Sequence, residues 1–159
     1  MIAGPEMLWF TTRVCSGNYD GTRDNVQLEF KNIFDSDRPV TCMTDYLNYK
    51  YQLKQQDNLC CPGRVDWWGL EKVQPCNENR FNRFKQFKPI DGLQFRFHTN
   101  TLGLNLHHDQ LRLCRVNVQF GRNGSAGYSL WQWDGDLYNE DYTAYNSQSK
   151  WATMKKVKG

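Results

Sequence analysis

The sequence predicts an all-β fold, an antiparallel two-sheet β-sandwich of about eight strands braced by disulfides. Three observations carry that expectation. Apolar and polar residues alternate with period two in several short runs, polar turn signals separate many of those runs, and six cysteines are spread along 159 residues. Hydrophobic residues make up 39% of the chain and aromatic residues 14%, so the apolar mass sits in large rings that favour strands over helices.

The clearest runs are Val26 to Phe30, Leu93 to Phe97, Leu102 to Leu106 and Cys114 to Phe120. In the last of these Cys114, Val116, Val118 and Phe120 share one face, while Arg115, Asn117 and Gln119 share the other. Each such run reads as a half-buried strand. Less regular candidates are Leu8 to Cys15, Val40 to Thr44, Val65 to Leu70 and Tyr128 to Trp133. Turns are signalled at Gly17-Asn18-Tyr19-Asp20-Gly21, Asp35-Ser36-Asp37-Arg38-Pro39, Asp91-Gly92 and Gly121-Arg122-Asn123-Gly124. Asp45 to Gln56 is long enough for a short helix. No repeat or linker divides the chain, so a single domain is expected over residues 8–135. A polar segment over 136–159, ending in Lys155-Lys156-Val157-Lys158, is expected to pack partly on a sheet edge and then fray.

Twenty basic residues against 17 acidic ones give a net charge of +3, scattered without a basic patch, so no nucleic-acid partner is expected. No run approaches the roughly 18 apolar residues of a membrane span. The cysteines are Cys15, Cys42, Cys60, Cys61, Cys76 and Cys114. None of them forms a Cys-x-x-Cys pair, so spacing favours a disulfide framework over zinc and a secreted, extracellular location over the cytosol. Asn123-Gly124-Ser125 is a glycosylation sequon that fits secretion. Trp67 and Trp68 are consecutive, so on a strand they point to opposite faces and one of them lies outside the core, either free for contact or covered by a loop. Trp131 and Trp133 share a face and read as core.

Catalysis has little to stand on. His107 and His108 are adjacent but no Gly-x-Ser-x-Gly elbow accompanies them, and a metal site of His98, His107 and Asp109 rests only on alternation that puts His107 and Asp109 on one strand face. A non-enzyme is expected.

Four segments, in order, resemble the PLAT domain, the β-sandwich attached to lipoxygenases and animal lipases, and more closely its small secreted cysteine-containing relatives. They are Arg13 to Leu28, with its Gly21-Thr22 loop; Cys61-Pro62-Gly63-Arg64-Val65-Asp66; Leu102 to Asp109 followed by Leu113 to Val118; and Tyr128 to Trp133. The resemblance covers residues 8–135. Through Cys42-Met43-Thr44-Asp45-Tyr46-Leu47 and the Leu70 and Cys76 that follow, it implies pairing of Cys42 with Cys76 and of Cys15 with Cys114. Cys60 and Cys61 then remain, for a bond between neighbours, bonds elsewhere or a disulfide-linked homo-oligomer.

The resemblance also implies a calcium site at one end of the sandwich, on Asp20, Gly21, Thr22, Asp24, Asp66 and Asp109. The family's Gly-Thr-Asp-x-Asp loop reads Gly21-Thr22-Arg23-Asp24-Asn25 here, so Arg23 and Asn25 stand at both acidic positions and Arg23 would repel a cation. Loop aromatics touch membranes in some members, which makes Trp67, Trp68 and Arg23 the candidate contacts. The expected function is recognition of a lipid surface, an extracellular protein or matrix through these loops. The alternative is a structural or toxin-like protein that self-assembles through its tail or unpaired cysteines.

Overall fold

The computed structural model describes residues 7–22, 24–32, 41–44, 46–47, 58–69, 92–100, 110–121, 128–140 and 146–159. Nine strands are assigned there: β1 Met7–Val14, β2 Asn25–Asn32, β3 Thr41–Met43, β4 Val65–Gly69, β5 Leu93–Asn100, β6 Arg112–Phe120, β7 Ser129–Tyr138, β8 Asn146–Gln148 and β9 Ala152–Lys158. The expected strand over Leu102 to Leu106 and most of the helix expected over Asp45 to Gln56 lie outside the described residues.

All pairings are antiparallel, and the strands form one curled sheet, a half-barrel, in the order β3-β2-β5-β9-β7-β6-β1-β4, with β8 pairing β5. β9 joins the two halves by changing partner along its length. Its first residues, Ala152 to Met154, pair with Phe95 to Leu93 of β5, and its later residues Lys155, Lys156 and Lys158 pair with β7. A strand shared in this way turns a corner between two otherwise separate layers.

The curl closes the core. Phe10 of β1 and Phe30 of β2 are separated along the sheet by β6, β7, β9 and β5, yet their ring centroids lie 5.9 Å apart, edge to face. Trp68 stacks on Phe10 at 5.2 Å, and Trp133 meets Phe95 edge-on at 5.2 Å. The inward positions repeat with period two, most plainly in β5, where Leu93, Phe95, Phe97 and Thr99 are buried and the residues between them half-buried.

β6 departs from the strict alternation of its sequence. A register shift between Leu113 and Arg115 moves Leu113 into the core and leaves Cys114 half-buried, so Cys114 does not share the face of Val116, Val118 and Phe120. A bulge inserts one residue and flips the phase of what precedes it. Cys114 is thereby turned towards Cys15, just past the end of β1, and the two form a disulfide with Cα atoms 5.1 Å apart.

Candidate functional site

The ends of β1, β2, β4, β5, β6 and β7 bring the loops 15–22 and 58–64 to one end of the half-barrel. Backbone hydrogen bonds stitch these loops to the strand ends: Val14 N–H donates to the Arg64 carbonyl (2.9 Å), Gly63 N–H to Cys15 (3.1 Å), Cys15 N–H to Arg112 (3.0 Å) and Arg112 N–H to Asp20 (2.9 Å). The loops therefore share the sheet's own hydrogen bonding, which limits their freedom.

Leu59 is the point where they meet. It is fully buried, with a left-handed backbone (φ 61°). Its N–H donates to Asp66 Oδ2 (2.8 Å) and its carbonyl accepts from Thr22 N–H (2.7 Å). Gly21 lies so close to the peptide between Cys60 and Cys61 that a Cβ there would collide with the Cys60 carbonyl and the Cys61 nitrogen. Cys60 and Cys61 are bonded to each other. No described cysteine is free. Cys42 is also disulfide-bonded, while Cys76, its expected partner, lies outside the described residues.

The described calcium positions, Asp20, Gly21, Thr22, Asp24 and Asp66, fall around this junction, and the carboxylates of Asp20 and Asp66 face the protein. Asp66, 7% exposed, accepts from Leu59 N–H on one oxygen and from Arg64 Nε on the other (2.8 Å). Asp20 Oδ2 accepts from Gly17 N–H (2.7 Å), and Thr22 Oγ1 accepts from Asp24 N–H (3.1 Å). Gly21 contributes close packing. Arg23 and Asp109 lie outside the described residues, as do His107 and His108. Among the described residues no three acidic, histidine or cysteine side chains are grouped to hold a metal ion. Calcium asks for roughly six to eight converging oxygens, whereas the Asp20 and Asp66 carboxylates are taken up by bonds within the protein.

The tryptophan pair divides by face. Trp68 is 1% exposed in the core, so the surface contact expected of it is not available to it. Trp67 is 53% exposed on the outer face of β4, beside Val65, with its ring lying over Gly69 two residues on. Sequence reasoning missed Tyr19, which is 91% exposed with φ 68° at the tip of the first loop. The available signal was an aromatic residue between Gly17 and Gly21, where a folded loop has no core to receive it.

A second cluster lies on the outer face of β2 and β5. Glu29 Oε1 accepts from Arg96 Nε (2.6 Å) and lies 3.0 Å from His98 Nε2. Burial pushes the Glu29 carboxyl up, but the hydrogen bonds and charges of His98 and Arg96 outweigh it and hold the group below the usual carboxylate value. The Arg96 guanidinium and the Lys31 ammonium both sit over the Trp151 ring, at 4.3 and 4.2 Å.

No family model, curated protein or solved structure matches the chain. The class defined by the fold is therefore an antiparallel, disulfide-bonded half-barrel with a braced loop end.

Proposed function

We propose that the chain is a secreted, non-catalytic binding module of PLAT-like kind, its two half-sheets acting as the layers of a sandwich and its loop end meeting a lipid surface or an extracellular protein. The observation that carries this reading is the presentation of Tyr19. An aromatic side chain is held 91% exposed on a left-handed backbone, over loops pinned by Asp20, Leu59 and Asp66. A positive φ at a non-glycine residue costs energy, and a large exposed ring offers no folding benefit in return, so both suit contact with a partner. Trp67 and Val65 add apolar surface on the adjoining face of β4. Preformed loops bind with little ordering cost.

Co-sedimentation with neutral and anionic liposomes tests the lipid arm. The expected result is binding that Tyr19→Ser and Trp67→Ser each weaken while the melting temperature holds. Both residues are exposed, so neither substitution should unfold the domain. If liposomes are ignored, affinity capture from extracellular fluid with the same two variants as controls tests the protein arm. Indifference of both assays to both substitutions defeats the proposal.

A further inference from the structure

The outer face of β2, β5 and β8 carries a grid of carboxamides that the loop end does not explain. Gln27, His98 and Gln148 lie opposite one another across the three strands, and Asn25, Asn100 and Asn146 form the next row. Residues two apart on a strand share a face, so both rows project from the same side of the sheet. Above them is a cavity of about 410 Å³, lined by Gln27, His98, Asn100, Asn146 and Gln148 among others, with Glu140 from the turn after β7 at its side. Met43 supplies an apolar patch. That volume stands near the small end of ligand pockets, roughly 300–1,000 Å³.

The chemistry of the lining narrows the ligand. A carboxamide offers a donor and an acceptor side by side and carries no charge. Gln27 donates one hydrogen bond to the Thr44 carbonyl (3.0 Å), which fixes its side chain and leaves its own oxygen for a ligand. His98 directs Nε2 at Glu29 and keeps Nδ1 as the remaining polar atom of the ring. Among the described residues of the lining the only fixed charge is Glu140, which lies 3.9 Å from Lys150. Among these residues a phosphate or carboxylate would find no cation dedicated to it, and a cation only one shared carboxylate. Neighbouring hydroxyls of a sugar, each both donor and acceptor, match a row of carboxamides, and a small neutral ligand matches the volume. The pocket lies on a sheet face, and β5 at its centre is already paired on both sides, so an extended peptide cannot add to β5 as a strand.

We infer that this pocket is a binding site for a neutral saccharide of one or two residues, separate from the surface built by Tyr19 and Trp67. Binding would be weak and enthalpic, made of hydrogen bonds with little aromatic stacking, because the nearby Trp151 ring already carries Arg96 and Lys31.

The test is a titration of the isotope-labelled protein with methyl glycosides of glucose, galactose, mannose and N-acetylglucosamine and with their β-linked disaccharides. The readout is the side-chain amide resonances of asparagine and glutamine. At least one sugar should give saturable millimolar shifts confined to Gln27, Asn100, Asn146 and Gln148. Asn146→Ala and Gln148→Ala, both at exposed positions that the fold does not need, should each weaken binding roughly three- to tenfold, the worth of one neutral hydrogen bond. Absence of saturable shifts with every sugar overturns the inference. So does binding that both variants leave intact, or a blocked dipeptide amide that shifts the same resonances at lower concentration than any sugar. Liposomes play no part in the measurement, so its failure and that of the loop-end reading are separate results.

Discussion

Replacing Gly21 by alanine probes the junction of the two loops. The new methyl group would land on the Cys60 carbonyl and the Cys61 nitrogen, which are backbone atoms and do not rotate aside. Nor can either loop slide away freely, since Thr22 N–H is bonded to the Leu59 carbonyl at 2.7 Å and Cys60 and Cys61 are closed into a ring by their disulfide. Overpacking of this kind costs about 1–3 kcal/mol, and the rigidity of the obstacle places Gly21→Ala near the upper end. Loss of glycine's freedom in the unfolded chain returns about 0.4–1 kcal/mol, leaving a net cost of about 2 kcal/mol. For a domain of this size that is a fall of about 4–8 °C in melting temperature. Gly63→Ala is the control, because Gly63 has φ 74° but open space around it. Its cost is conformational alone, about 1 kcal/mol. Urea unfolding of both variants gives the comparison. If Gly21→Ala costs less than Gly63→Ala, the close approach at Cys60 is not what the two loops are built around.

Two further substitutions test the interior. Met154 in β9 is 3% exposed, so Met154→Ala should cost about 2–4 kcal/mol in urea unfolding, and a value near zero would mean that β9 lies against the core without belonging to it. Glu29→Gln should be most damaging at neutral pH. The folded Glu29 carboxyl titrates below its ordinary value, so the stability it contributes is fully present above the usual carboxylate range and is lost as pH falls through the lowered value. The gap between wild type and variant should therefore narrow in acid, and a gap that stays constant with pH would show that charge at Glu29 is not the source.

Period-two alternation made β2, β5 and most of β6 legible, because each buries one continuous face. The same signal failed at two places for different reasons. At Cys114 a bulge shifted the phase, and nothing in the residue types announces an inserted residue. In β9 only Ala152 and Met154 face the core before the strand crosses to β7, where Lys155, Lys156, Val157 and Lys158 are exposed. Its place in the sheet is set by backbone pairing with β5 and β7, which leaves no mark on side-chain periodicity. Around the candidate site, Gly21 and Thr22 were visible as loop residues and Asp66 through the family resemblance, but Leu59 was not. A buried leucine with a left-handed backbone next to two cysteines has no local pattern, since its role comes from contacts made by residues far along the chain.

What holds that junction together follows from where the carboxylates point. A calcium ion bridging two loops would draw Asp20 and Asp66 outward to a shared centre. Here the positive ends are supplied by the protein: Arg64 and the Leu59 N–H on Asp66, the Gly17 N–H on Asp20. Asp66→Asn keeps an oxygen for Leu59 N–H but puts an NH2 where the other oxygen accepted from Arg64. It loses the charge and that hydrogen bond to a guanidinium that is 37% exposed and free to turn to solvent, so it should cost about 1 kcal/mol. Asp66→Ala leaves the buried Leu59 N–H without its acceptor and should cost about 1–3 kcal/mol. The melting temperature in excess chelator and in millimolar calcium should agree for the wild type and for both variants. A calcium-dependent rise that Asp66→Asn abolishes would show that the loops rearrange to bind the ion and that the bracing described here is only one of their states.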